Sequence, residues 1–208
     1  MMKPIFILLI LGSLMTGCAS TTQLTAENHQ KITNIYIEQA VKIPETAYYY
    51  GPEQGVGVVF GPVGMIIAQS VETNDELIVK YMKENDVDIG RISRNAVEKL
   101  LINNPKFASK KLVTEKDKAD SVLKVEVAVY GLSQTHGFSS VYRPQLGIKA
   151  RLEDQQGVVL WEDYEFVTAM NDGVHAIEFK EYFEDPNNMK VRYEKAADLV
   201  MDMMAEDL

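Results

Sequence analysis

The chain has 208 residues, 25% of them charged and 46% hydrophobic, with a formal net charge of −9 and a single cysteine. These proportions belong to a globular chain rather than a disordered one and suit one domain with one core. The acidic balance argues against nucleic acid as a partner and against electrostatic adhesion to anionic lipid, and a lone cysteine leaves packing, not disulfides, to hold the fold.

The N-terminus has the parts of a secretory signal: Lys3 as the charged region, an apolar run over residues 5–11, and small residues before a cleavage point. A membrane-spanning helix needs about 20 apolar residues, and here the polar Ser20-Thr21-Thr22-Gln23 follows too soon. Residues 1–17 therefore read as a cleaved signal. Leu14-Met15-Thr16-Gly17-Cys18 resembles the bacterial lipobox, with Met15 a departure at the aliphatic position. That resemblance makes Cys18 the lipid-bearing first residue of the mature chain. Acylation also removes the liability of an unpaired thiol in an oxidising compartment. Several acyl chains anchor stably where one gives marginal binding. Ala19 after the cysteine is similar to the signal for transfer to the outer membrane in Gram-negative bacteria, which implies a periplasm-facing domain. Residues 18–30, polar and without periodicity, read as a flexible tether, and 31–208 as the single domain.

Ile35, Ile37, Val41 and Ile43 alternate with polar positions, the pattern of a half-buried strand that Pro44 ends; Tyr48 to Tyr50 continue it as an edge. Residues 51–68 hold five glycines among apolar side chains. They read either as a loop leading to a helix that begins near Pro62, or as an apolar hairpin touching the membrane or a neighbouring subunit. On the second reading Val56, Val58, Val59 and Phe60 are the oligomer or membrane contact.

Residues 74–83 read as a helix, and Asp88 as the N-cap of a second with Ile89, Ile92, Val97, Leu100 and Leu101 on one face, stopped by Asn103-Asn104-Pro105. A short strand over 107–113 precedes the strongest strand, with Leu123, Val125, Val127 and Val129 inward and Lys124, Glu126 and Tyr130 outward. Residues 131–140 read as a loop holding His136 and Phe138. With Tyr142 beyond it, this loop offers aromatic side chains beside small residues, a composition that makes His136, Phe138 and Tyr142 candidate partner contacts. Leu146, Ile148, Ala150 and Leu152 alternate through another strand, 154–157 turns tightly, and 158–167 returns antiparallel through Trp161. Met189, Tyr193, Ala196, Ala197, Val200, Met203 and Met204 then recur at helical spacing, a stripe that reads as core.

The expected fold is α+β: an antiparallel sheet of about four strands with helices on one face, in the order strand-helix-helix-strand-strand-strand-helix. Ala119-Asp120-Ser121-Val122-Leu123-Lys124-Val125 and Gly157-Val158-Val159-Leu160-Trp161 resemble strand entries of small envelope lipoproteins. These include the lipopolysaccharide-assembly lipoprotein, the curli secretion lipoprotein and, in plan, the N-terminal domain of TolB. Gly137-Phe138-Ser139-Ser140, Arg143-Pro144, Glu181-Tyr182 and Asp185-Pro186 are similar to elements of an uncharacterised group of proteobacterial lipoproteins. The resemblance spans 31–208 and implies no catalytic residue.

Catalytic patterns fail on spacing. The third glycine of Gly55-Val56-Gly57-Val58-Val59-Phe60-Gly61 arrives one residue late for a dinucleotide site, and a calcium loop from Asp86 meets Arg91 and Val97 where Gly and Glu are required. No P-loop, H-E-x-x-H or G-x-S-x-G occurs, and His29, His136 and His175 stand far apart. Glu162, Asp163 and Glu165 offer paired carboxylates, better explained as a solvated sheet face. Two function classes follow. The first is a non-enzymatic binding or assembly module with no cofactor, held at the outer membrane through Cys18 beside a protein partner or its own copies. The alternative is a hydrolase of envelope polymers.

Overall fold

The computed structural model describes residues 21–52 and 73–208. In chain order these form α1 (Ala26–Lys31), β1 (Asn34–Ile37), β2 (Tyr48–Tyr50), α2 (Asn74–Glu84), α3 (Ile89–Asn103), β3 (Lys111–Val113), β4 (Ser121–Gln134), β5 (Val141–Asp154), β6 (Val159–Val167), β7 (Ile177–Glu178), α4 (Glu181–Glu184) and α5 (Pro186–Asp207).

The sheet has seven strands, not four, and it is mixed rather than antiparallel. Its main path runs β3-β1-β4-β5-β6, with β2 also on β4 and β7 also on β5. The central β4, β5 and β6 pair antiparallel, as their alternation and the Asp154–Gly157 turn require. Asp154 accepts the amides of Gln156 and Val158 at 2.9 and 2.8 Å, and Gly157 takes φ +81°, a conformation that costs a residue without a Cβ nothing. The short β1 and β2 join β4 in parallel, a pairing invisible to alternation because each offers only three or four residues. Asp120 fixes the first of these: its carboxylate accepts the Thr33 and Asn34 amides at 2.9 to 3.1 Å, tying the start of β1 to the start of β4. Between Ile37 and β2 the chain meets β4 through the Glu38 amide, which donates to the Leu123 carbonyl at 2.9 Å, and through an isolated bridge from Lys42 to Glu126. At the far end β2 lies so close on β4 that a Cβ at Gly131 would overlap the Tyr48 backbone.

Helices α3 and α5 pack on each other and cover one sheet face. Asp88 caps α3 by accepting the Arg91 amide, and Asp185 caps α5 by accepting the Asn187 amide, with Pro186 at the first helical position. The α5 stripe is buried as its spacing requires: Met189, Tyr193, Ala196, Ala197, Val200 and Met204 are all fully enclosed, with Met203 at the margin. Opposite them lie Leu123, Val125 and Val127 of β4 and Leu146, Ile148, Ala150 and Leu152 of β5.

The expected faces of β4 hold only as far as Val127. A β-bulge between Val127 and Val129 inserts one residue and reverses the phase, so Tyr130 and Leu132 enter the core while Val129 is only half-buried on the other side. The expected loop 131–140 is shortened at its start: β4 continues to Gln134 and β5 begins at Val141, leaving a tip at 135–140. The expected tether is also partly folded, as α1 and a bridge from Thr22 to Glu162 show.

Candidate functional site

The face of the sheet turned away from α3 and α5 carries a lattice of paired charges. Alternation places Lys124 and Glu126 of β4, Lys149, Arg151 and Glu153 of β5, and Glu162 of β6 on it. Glu153 accepts from Lys124 at 2.7 Å and forms an ion pair with Arg151 at 2.8 Å. Glu162 lies 3.0 Å from Lys149 and 3.6 Å from Arg151, and Lys42 reaches Glu126 at 2.8 Å. Glu153 and Glu162 are buried under these partners, at 7% and 5% exposure, although they stand on the face turned away from α3 and α5. A shallow basin of about 250 Å³ opens among Glu38, Lys42, Lys124, Glu126, Lys149 and Arg151. The pairing departs from the simple solvated face expected for Glu162. Asp163 departs further: it lies on the helix-covered side at 2% exposure, where its carboxylate accepts the Tyr164 amide at 2.8 Å. Sequence reading missed Lys124, Lys149, Arg151 and Glu153 as a group; the alternation of β4 and β5 marks their shared face, but only the register shows which pairs meet.

The proposed partner contacts separate. His136 and Phe138 sit at the β4–β5 tip, with Phe138 fully exposed. The tip is ordered around Ser139, whose hydroxyl accepts from the Thr135 hydroxyl at 2.7 Å and from the Val141 amide at 3.1 Å. Tyr142 is corrected: it is a core residue at 1% exposure, because the same alternation that buries Leu146 buries it too. Its ring stacks on Tyr49 at 5.9 Å and meets Phe179 at 5.3 Å, and its carbonyl accepts the Tyr182 hydroxyl at 2.9 Å. Burial pushes the Tyr182 and Tyr193 hydroxyls far above the ordinary tyrosine range, and Tyr81 up to about 12 through burial and the nearby Asp185. These phenols serve packing and hydrogen bonding, as the Tyr193 bond to the Gly131 carbonyl at 2.9 Å shows.

The residues from Thr22 to Ile32 strap the domain. Thr22 exchanges both backbone hydrogen bonds with Glu162, at 2.7 and 3.0 Å. Thr25 caps α1, Leu24 packs against the core, and Asn28 donates to the Leu160 carbonyl at 3.1 Å. Lys110 adds bonds to the His29 and Ile32 carbonyls at 2.9 and 2.8 Å. No hydrophobic periodicity announces this strap, because it is held mainly through backbone groups.

The histidines stay apart. The His29 ring nitrogen is 2.5 Å from the Lys106 carbonyl and its ring meets Phe107 edge-on, while His136 and His175 are exposed. Among the described residues no three His, Cys, Asp or Glu side chains group as a metal site, and no helix is long and apolar enough to cross a membrane. Cys18, the expected lipid-bearing residue, and Val56, Val58, Val59 and Phe60, the expected oligomer or membrane contact, lie outside the described residues.

The chain matches no family model and no curated protein. Among solved structures it is similar to a Xanthomonas campestris protein of family DUF330, at 9% identity over 90% of this chain and 86% of that one, TM-score 0.43. It is also similar to a minor lipoprotein from Acinetobacter baumannii, at 8% identity over 84% and 94%, TM-score 0.37. A third is a PelC dodecamer from Paraburkholderia phytofirmans, at 12% identity over 80% and 88%, TM-score 0.31. No residue of the site is carried over from these proteins, and the functional reading rests on the chain's own residues.

Proposed function

We propose that the chain is a lipid-anchored lipoprotein of the cell envelope, periplasm-facing at the outer membrane, that acts as a non-enzymatic binding or assembly module. Cys18 carries the lipid, and Val56, Val58, Val59 and Phe60 form an oligomer or membrane contact. Phe138, with His136, marks a separate surface for a protein partner. The observation that carries the reading is the charge lattice on the sheet face turned away from α3 and α5: each of Glu126, Glu153 and Glu162 is engaged by lysine or arginine. Glycoside hydrolysis needs two carboxyl groups with opposed tasks, one giving a proton and one attacking or activating water. A lattice closed by cations serves contact and register instead.

Two measurements test this. Radiolabelled palmitate enters the wild-type chain in cells, and Cys18→Ser abolishes the labelling; labelling of the variant overturns the anchor. Phe138→Ser, and separately Val59→Asp with Phe60→Ser, each lose crosslinks to neighbours in intact cells while still folding. Unchanged crosslinks and oligomeric state in both variants overturn the interaction reading.

A further inference from the structure

The strap sets how the domain meets its membrane. Thr22 is bonded through both backbone groups to Glu162, and only four residue steps separate it from Cys18. A fully extended chain spans at most about 3.6 Å per residue, so the lipid-bearing residue stays within about 14 Å of this point. A folded domain of this size has a radius of gyration of about 16 Å. The tether is therefore too short for the domain to tumble freely, and the edge that holds Thr22 is kept beside the bilayer.

That edge strand is bracketed by exposed apolar side chains. Glu162 lies near the middle of β6, with Val158 four residues before it at 57% exposure and Phe166 four residues after it at 49%. At about 3.3 Å per residue each stands about 13 Å from the attachment point, within the reach of the tether. Four residues further on, Met170 is 82% exposed at the tip of a turn built to hold it out. Asn171 accepts from the Thr168 amide at 2.8 Å, and Arg143 donates to the Ala169 carbonyl at 2.9 Å and pairs with Asp172 at 3.2 Å. One exposed apolar side chain means little. Three on the strand to which the lipid is strapped or beside its two ends have a common cover at hand.

We propose that the β6 side of the sheet is the bilayer-facing surface, with Val158, Phe166 and Met170 resting at the headgroup–acyl boundary around the lipid on Cys18. The chain is acidic, so this contact works through apolar burial added to the lipid anchor rather than through charge. Water remains at that depth, so the outer edge of β6 keeps partners for its backbone groups. The inference rests on the lipidation of Cys18.

The test uses the lipidated full chain in phosphatidylcholine vesicles, comparing brominated with unbrominated acyl chains. Val158→Trp, Phe166→Trp and Ile102→Trp are each read against the wild type, whose single Trp161 is buried and gives the baseline. Ile102 is 62% exposed on α3, in the helical layer. The expected result is an added emission that falls at least twofold in brominated vesicles for Val158→Trp and Phe166→Trp, and is unchanged for Ile102→Trp. Quenching of Ile102→Trp alone, of all three equally, or of none overturns the orientation. Flotation separates the lipid anchor from the orientation of the domain. A wild-type chain that does not float with vesicles removes the lipidation and this inference with it, whereas one that floats without quenching at positions 158 and 166 removes this inference alone.

Discussion

Lys124 and Arg151 stand directly opposite each other in the β4–β5 register, and Glu153 forms ion pairs with both, at 2.7 and 2.8 Å. Like charges facing each other across a ladder are destabilising unless a counter-charge lies between them. Glu153→Gln should therefore cost about 1 kcal/mol, a modest figure because both cations are partly exposed. Adding Lys124→Gln should recover part of that loss, since the remaining arginine no longer faces a second cation. Urea unfolding midpoints of the wild type, the single and the double variant decide the matter: a double variant no more stable than Glu153→Gln shows that repulsion is not what Glu153 relieves.

The bulge at Ala128 has its own signature in mutants. Val127→Asp and Tyr130→Asp should each cost several kcal/mol, against a total of about 5 to 15, because both positions are buried and a carboxylate there has no partner. Val129→Thr, on the half-buried side, should cost less than about 0.5 kcal/mol. Thermal melting of the three separates the bulged strand from a regular one, in which position 129 would be the sensitive one and position 130 the tolerant one.

What was legible in the sequence follows from period and length. The cap at Asp88, the turn at Gly157 and the buried faces of α3, α5 and β5 all lie in or beside runs long enough for a repeat to declare itself. The short strands β1, β2 and β3 were expected near their places but not with their parallel pairing, and β7 was missed, because strands of two to four residues pair through partners distant in sequence. Tyr130 was misplaced because one inserted residue flips a two-residue period, and nothing in Val127-Ala128-Val129 marks the insertion. Tyr142 looked like a contact residue because aromatic content and a neighbouring loop were weighed above its place in the β5 alternation. The charges of the lattice were readable as a face, but not as pairs.

Alkaline pH should unfold the domain through its tyrosines. Their neutral form is favoured in the fold, with Tyr81 pushed up to about 12 and Tyr182 and Tyr193 well above their ordinary value, chiefly by burial. A folded-state value above the unfolded one, about 10, means that the stability these groups contribute is complete below pH 10 and is lost as the pH rises through 12. Absorbance at 295 nm should show the exposed tyrosines ionising first, and the buried ones only together with the loss of far-ultraviolet circular dichroism. A smooth titration of all tyrosines with the helical signal intact would contradict the burial of this group.

The strap offers a way to loosen the anchor without unfolding the domain. The Thr22 amide donates to the Glu162 carbonyl at 2.7 Å, and proline has no N–H to give. In Thr22→Pro the bridge is lost, but α1 keeps its cap on Thr25 and its bond from Asn28 to Leu160, so the first firm attachment moves to Thr25. The slack after Cys18 then grows from four residue steps to seven, or to about 25 Å at full extension. Global stability should fall by no more than about 1 to 2 kcal/mol, the worth of one or two backbone bonds. The Glu162 amide, which donates back to the Thr22 carbonyl at 3.0 Å, should lose its hydrogen-exchange protection while amides in the middle of β4 and β5 keep theirs. If the Glu162 amide stays as protected as in the wild type, Thr22 is not what closes this edge, and the short reach assigned to the tether no longer holds.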